Sequence, residues 1–227
     1  MQPDLSGYET YTSYGAFINH LWQDAKGVIW VGSFDNGLSR YNPKSGRLSQ
    51  YKFTPGDPGS INSNEVLFGF SDNTGIVWVG TGNGIAVLNP SLQMFNHFRF
   101  IPGSDNGLSH HKVRAVIEDS NGGIWVGTKG GGLDYLEPGD MRFRHFRNDP
   151  DNPGTIAEDR IYSLLEEQRR DLIGTESRGL DKYDPKRKTF THFENRENDP
   201  SSISGNSISA LMMDRKGNCG SAHPAAG

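Results

Sequence analysis

Asp24-Ala-Lys-Gly27-Val-Ile-Trp30-Val-Gly32-Ser33 recurs as Asp72-Asn-Thr-Gly75-Ile-Val-Trp78-Val-Gly80-Thr81 and as Asp119-Ser-Asn-Gly122-Gly-Ile-Trp125-Val-Gly127-Thr128. Each copy is an acidic residue closing one strand, a Gly turn, and a second strand carrying Trp. The Trp residues are spaced by 48 and then 47 positions. A fourth copy follows 47 residues later as Leu172-Ile173-Gly174-Thr175, with Leu in place of Trp. Self-similarity at a period in the forties is the mark of a propeller or solenoid, and it outranks local readings.

Aligning the copies extends the hairpin into a unit of four short strands. A first strand reads Ile18-Asn-His-Leu-Trp-Gln-Asp24, Val66-Leu-Phe-Gly-Phe-Ser-Asp72, Val113-Arg-Ala-Val-Ile-Glu-Asp119 and Ile161-Tyr-Ser-Leu-Leu-Glu166. The Trp-Val-Gly strand is second. The third starts after Gly37, Gly84, Gly132 or Gly179 and ends at Pro43, Pro90, Pro138 or Pro185, because Pro cannot donate to a ladder. The fourth reads Leu48-Ser-Gln-Tyr51, Phe95-Asn-His-Phe98, Phe143-Arg-His-Phe146 and Phe190-Thr-His-Phe193. Strands this short between Gly and Pro turns predict an antiparallel meander. Connectors from the end of the fourth strand to the next first strand have a constant span of 15 residues, which predicts ordered loops rather than linkers.

Four strands per unit of about 45 residues is the size of a β-propeller blade. The expected fold is all-β, with blades at about 16–53, 65–100, 112–148 and 160–195. Tyr8-Glu-Thr-Tyr11 suits a lone fourth strand over 7–12. Ile208-Ser-Ala-Leu-Met-Met-Asp214 suits a partial fifth blade over 207–217, and 218–227 reads as an irregular tail with Gly220 where a Trp is due. The repeat region is therefore 7–217, beginning and ending inside a unit, and the expectation is an incomplete ring from a longer repeat protein. The fourth unit is worn. Ile161 to Leu172 spans 11 residues where its sisters span 12, its turn Gln168-Arg-Arg-Asp171 lacks Gly, and losing a packed Trp predicts loosening. Arg169 and Arg170 read as exposed turn residues.

Composition agrees with short strands. Among 227 residues, 33% are apolar and 29 are Gly. No apolar run reaches the roughly 18 residues of a membrane span, and Met1-Gln-Pro-Asp-Leu-Ser-Gly7 lacks the basic and apolar regions of a secretory signal. The net charge of −4 is spread over both signs, which speaks against a nucleic-acid partner. The single Cys219 excludes internal disulfides and a cysteine zinc site.

The run Asn148-Asp-Pro-Asp-Asn-Pro-Gly-Thr155, then Ile161, the Asp-x-x-Gly-x-x-Trp-Val-Gly-Thr hairpin, and Gly131-Gly-Leu-Asp-Tyr135 together resemble the two-component regulator propeller repeat. The resemblance covers roughly residues 7 to 217. It implies the sensor region of a bacterial membrane receptor, notably a hybrid histidine kinase or a diguanylate cyclase. Such a region lies in the periplasm or outside the cell, senses a small molecule or an oligosaccharide, and pairs as a homodimer through the parent receptor. It implies no cofactor. The sequence contains no kinase histidine box, nucleotide-binding glycine pattern or Tyr-rich sandwich domain, so the resemblance carries the sensor role alone.

No catalytic set is evident. Asp24, Asp72 and Asp119 recur once per blade, so no carboxylate pair converges as a glycosidase requires. They read as turn residues bonded to nearby N–H groups. Trp30, Trp78 and Trp125 read as inter-blade core, and His97, His145 and His192 as exposed rim residues too far apart for one zinc. The turns after the second strand share a face with the connectors, and there the sequence varies inside a constant frame. The candidate ligand-binding residues are Trp22, lining the central channel, with Phe34, Asp35, Asn36, His110, His111, Lys129, Arg160, Glu176 and Arg178. A propeller enzyme of sialidase or lyase type and a protein-interaction scaffold are the alternative readings.

Overall fold

Alternating apolar residues bounded by Gly turns fold as the period predicts. The computed structural model describes residues 17–92, 94–104, 106–167, 170–214 and 219–222. The expected strand over 7–12 and Arg169 lie outside these residues; of Arg170 only the backbone is described. The first sheet contains β1 (Ile18–Gln23), β2 (Ile29–Ser33), β3 (Leu38–Asn42) and β4 (Arg47–Tyr51). The second contains β5 (Val66–Ser71), β6 (Val77–Thr81), β7 (Gly84–Asn89) and β8 (Met94–Phe98). The third contains β9 (Val113–Glu118), β10 (Ile124–Thr128), β11 (Leu133–Leu136) and β12 (Phe143–Phe146). The fourth contains β13 (Ile161–Glu167), β14 (Arg170–Thr175), β15 (Leu180–Asp184) and β16 (Thr189–Phe193). Each is an antiparallel meander with strands in chain order.

A two-stranded sheet follows, with β17 (Ala210–Met213) paired to β18 (Cys219–Ala222). This corrects the expectation of an irregular tail from 218 onward. Residues 219–222 lack an apolar alternation, but a ladder is made by the backbone. Gly220 pairs opposite Met212, where Trp30 pairs opposite Trp22 in the first sheet.

Successive sheets stand side by side through their first strands: β1 against β5, β5 against β9, β9 against β13, and β13 against β17. Among the described residues no extensive contact joins the first sheet to the last, so the blades form an open row. One contact builds all four junctions. The Gly after Trp-Val, or after Leu-Ile in the fourth blade, presents bare backbone, and the β-branched residue opening the next blade seats on it. A Cβ at Gly32 would stand 2.4 Å from Val66 Cγ1, at Gly80 2.9 Å from Val113 Cγ1, at Gly127 2.6 Å from Ile161 Cγ2, and at Gly174 2.7 Å from Ile208 Cγ2. Those four side chains are fully buried, whereas Ile18, the same position in the first blade, is 65% exposed.

The Asp turns also act as expected. Asp72 Oδ1 accepts from the N–H groups of Thr74 and Ile76, both at 2.9 Å, and Oδ2 accepts from Trp78 Nε1 at 2.8 Å. Asp24 does the same for Lys26, Val28 and Trp30. Asp72→Ala removes all these acceptors from a partly buried turn, and a net loss of about 1–3 kcal/mol is expected in urea unfolding. An unchanged midpoint would show that the turn holds without its carboxylate.

The third blade departs from this pattern. Asp119 Oδ1 keeps the turn N–H bonds of Asn121 and Gly123, but no bond to the indole completes the set; burial, then the nearby Asp119 carboxylate, push the Tyr135 phenol up. Trp125 Nε1 is left buried without a hydrogen-bond partner.

In the fourth blade the ladder runs one pair further, past Glu166 opposite Asp171 to Glu167 opposite Arg170, where the sister blades turn on Gly. Aromatic rings nevertheless pack about the fourth blade. Tyr183 packs edge-on to Trp125 and Phe146, with ring centres at 5.4 and 5.5 Å, and lies 4.9 Å from Phe190.

The connectors are tied to the frame. Gly37, Gly84, Gly132 and Gly179 donate to the carbonyls of Asn64, His111, Asp159 and Asn206, the residues at the connector ends. All four have positive φ, and a Cβ on any of them would stand 2.2–2.3 Å from a carbonyl oxygen of the fourth strand.

Candidate ligand-binding face

The first strand of every full blade carries a register shift near its start, between Ile18 and His20, Val66 and Phe68, Val113 and Ala115, and Ile161 and Ser163. The extra residue of such a bulge is re-aimed relative to the pleat. Those residues are Asn19, Leu67, Arg114 and Tyr162, and none was among the candidates read from the sequence. Their signal was present, as four unlike residues at the second position of an otherwise uniform strand.

A backbone hydrogen bond in each blade brings two more variable positions together. Phe34 N donates to Phe17 O, Gly82 N to Glu65 O, Lys129 N to Lys112 O, and Glu176 N to Arg160 O. Each blade thus sets two changeable positions on a fixed bond: Phe17 with Phe34, Glu65 with Gly82, Lys112 with Lys129, Arg160 with Glu176. Between the third and fourth blades, Lys129 and Arg160 also form an isolated antiparallel bridge.

The sequence candidates divide between the two ends of this row. His110, His111, Lys129, Arg160 and Glu176 gather on the third and fourth blades. His110 and His111 stack with ring centres 4.2 Å apart. Arg160 Nη1 lies 3.2 Å from Glu176 Oε2, and the other oxygen of Glu176 accepts the Tyr162 hydroxyl. The Arg114 guanidinium lies over the Tyr162 ring, 4.4 Å from its centre. That hydroxyl, with Arg160 and Arg114, holds the Glu176 carboxyl below its ordinary range. Burial and the bond to Glu176 raise the Tyr162 phenol. Lys112 reaches back to Glu65 of the second blade at 3.0 Å.

Phe34, Asp35 and Asn36 stand on the first blade, at the opposite end of the row. Phe17 and Phe34 are 76% and 51% exposed there. Asp35 is exposed and Asn36 half-buried, its N–H bonded to Ser33 Oγ. Arg178 turns away to Glu194, at 3.2 Å. Trp22, expected along a central channel, is instead part of the junction between the first two blades. It stacks on Trp30, covers Gly69, and donates from Nε1 to Ser71 Oγ at 3.2 Å. Gly69 is the cause, since any side chain there would occupy the space of the indole.

The strand-four histidines also differ from expectation. They are half-buried, not exposed. His145 Nδ1 lies 2.7 Å from Asp134, and His192 Nδ1 2.6 Å from Asp181; both Asp side chains are fully buried. Each Asp also clamps a connector, accepting from Ser109 N or Ala157 N. Asp181 draws the His192 ring above its usual pKa against the effect of burial. In the second blade Ala86 stands in place of the Asp, and His97 Nε2 bonds the Ser60 carbonyl as His192 Nε2 bonds that of Pro153. These are fastenings of the frame, away from the variable face. A shallow cleft of about 420 Å³ on the fourth blade, lined by Lys182, Tyr183, Lys186 and Arg187, is likewise built from the outer strands.

Sheets of four meandering strands, set side by side through their first strands and varied on one face, define a β-propeller protein. Residues 107–130 match the family model described as two component regulator propeller. No curated protein matches the chain. Among solved structures, it is similar to the extracellular domain of BT4673 of B. thetaiotaomicron, described as a hybrid two component system, with TM-score 0.76 and 20% identity over 93% of this chain and 27% of that one. It is also similar to the extracellular domain of a second such system from the same organism, BT3049, with TM-score 0.57 and 22% identity over 93% of this chain and 33% of that one. Virginiamycin B lyase from Staphylococcus aureus aligns with TM-score 0.62 and 16% identity over 89% of this chain and 62% of the enzyme. The chain thus spans about a quarter to a third of the two extracellular domains. Among the described residues, no helix is long and apolar enough to cross a membrane.

Proposed function

We propose that the chain is part of the ligand-sensing region of a two-component receptor and works outside the cytoplasmic membrane. In this reading it binds an oligosaccharide on its variable face without turning it over, and pairs as a homodimer through the receptor that contains it. The observation that carries the reading is the pairing of variable positions on an invariant backbone bond in each blade, from Phe17–Phe34 to Arg160–Glu176. A rigid frame with exchangeable loop residues is how scaffolds carry recognition. The match of residues 107–130 to the two component regulator propeller model supports the sensing role.

The test is calorimetric titration of the protein with a panel of defined oligosaccharides, each mixture then analysed for cleavage products. The sensing reading expects saturable binding of at least one glycan and recovery of that glycan intact. Cleavage would move the assignment to a propeller enzyme. Binding of a protein partner with no sugar bound would leave a scaffold.

A further inference from the structure

We propose that the face shared by the third and fourth blades is a binding site for an acidic sugar, one bearing a sulfate or carboxylate group, with Lys129 at its centre and His110 and Arg160 beside it. The inference deepens the sensing role proposed above and rests on it.

The first argument is the placement of charge. Lys112, Lys129 and Arg160 follow one another across the face, joined by the bond from Lys129 N to Lys112 O and by the antiparallel bridge of Lys129 to Arg160. Residues directly opposite in such a bridge have Cβ atoms about 5 Å apart, and like charges there repel. The two outer cations are countered. Lys112 has Glu65 at 3.0 Å, and Arg160 has Glu176 at 3.2 Å. Glu176 is also engaged by the Tyr162 hydroxyl. Lys129 is exposed, and among the described residues no carboxylate lies within ion-pair distance of it. The uncompensated charge at the middle of this row would be met by an anion from solution.

The second argument is shape. Lys129 is followed by Gly130 and Gly131, so the turn beside it is bare backbone. Gly130 has φ of +123°, and a Cβ there would stand 3.9 Å from His110 Nε2. His110 Nδ1 accepts the Lys112 N–H at 3.0 Å, so the neutral ring carries its proton on Nε2, on the side of the bare turn. The His111 ring holds His110 from behind at 4.2 Å. The His110 imidazole N–H thus stands beside a bare turn whose neighbours along the backbone, Lys129 and Arg160, are cationic. The Arg114 guanidinium stacked on Tyr162 continues it along the fourth blade as a polar and aromatic surface, which suits a sugar ring.

The experiment titrates the protein with four probes. They are a hexasaccharide of alternating uronate and sulfated hexosamine, the same hexasaccharide desulfated and carboxyl-reduced, inorganic sulfate, and a single-stranded oligonucleotide as an unrelated polyanion. The acidic hexasaccharide is expected to bind at least about tenfold more tightly than its neutral counterpart. Lys129→Ala is expected to remove most of that difference. Lys26→Ala, which alters an exposed turn away from the face, should leave binding unchanged. Thermal melts confirm that both variants fold.

Equal binding of neutral and acidic hexasaccharides, unaffected by Lys129→Ala, would overturn the acidic selectivity and leave the sensing role standing. Saturation by inorganic sulfate as tight as by the sugar would reduce the site to a free-anion site. Equal binding of the oligonucleotide would mark undirected cation attraction. Failure of every sugar, neutral or acidic, here and in the panel above would remove the sensing role and this inference together.

Discussion

Asp171→Asn raises the stability of the protein at about pH 8 by several kcal/mol, with an upper bound of roughly 4 kcal/mol, and the gain fades as the pH falls toward about 4. Asp171 takes the place that Ile29, Val77 and Ile124 occupy opposite the end of the first strand in the sister blades. It is buried there, and its Oδ1 has no hydrogen-bond partner. Burial, then the charges of Asp119 and Glu166, push its carboxyl from the usual 3.8 up to about 7. The sign follows from linkage. Below about 3.8 the group is protonated folded or unfolded, and it costs nothing electrostatically. Between there and about 7 the unfolded chain ionises freely while the folded one resists, so the folded state loses ground as pH rises. Asn has nearly the shape of Asp and no charge to lose. Urea unfolding of both proteins from about pH 4 to 8 reads the difference directly. A gap that does not widen with pH would mean that Asp171 is ionised without penalty and that its surroundings are more polar than they look.

Ile161→Ala is expected to cost about 2–5 kcal/mol, and Ile18→Ala well under 1 kcal/mol, although the two residues hold the same place in their blades. Ile161 is fully buried against Gly127, while Ile18 is 65% exposed. The same junction is sensitive from the other side. Gly127→Ala places a methyl 2.6 Å from Ile161 Cγ2 and 3.4 Å from Ala115 Cβ, an overpacking worth about 1–3 kcal/mol. The two changes meet in one contact, so the double variant should be more stable than the sum of the single losses predicts. Unfolding midpoints of the four proteins and wild type suffice. Equal losses for Ile18→Ala and Ile161→Ala, or strict additivity at Gly127 and Ile161, would show that the blades are not held by this contact.

The repeat and the strand order are legible in the sequence because both are local: a Gly turn and an alternating strand declare themselves within ten residues. The reason for the Gly in Trp-Val-Gly is not. Gly32 meets Val66 and Gly127 meets Ile161, each pair 34 residues apart, so the pattern marks the glycine without giving its partner. The β-branched residue recurring at Val66, Val113, Ile161 and Ile208 was the matching half of the signal. The strand at Cys219–Ala222 escapes a reading based on side chains because backbone pairing alone makes it. His145 and His192 read as rim residues because their partners Asp134 and Asp181 look like ordinary polar positions of a neighbouring strand until pairing puts them opposite. On the variable face, the turn residues Lys129 and Glu176 and the strand start Arg160 were found as departures from a constant frame. Arg114 and Tyr162 were missed because a bulge, which the alternation rule does not anticipate, turns them toward it.

The contact between Gly and its β-branched neighbour joins unlike edges: each blade offers a socket on one side and a knob on the other. Head-to-tail interfaces of this kind close into a ring or continue without limit, according to the rotation each step imposes. No junction carries a count, since each sees only its two neighbours. The number of blades in a circle is therefore a property of an angle, set by how closely a side chain can approach a bare Cα. A methyl added at Gly32, Gly80 or Gly127 would meet the next blade before anything else, so the closeness of that approach, and with it the curvature of the row, rests on these glycines.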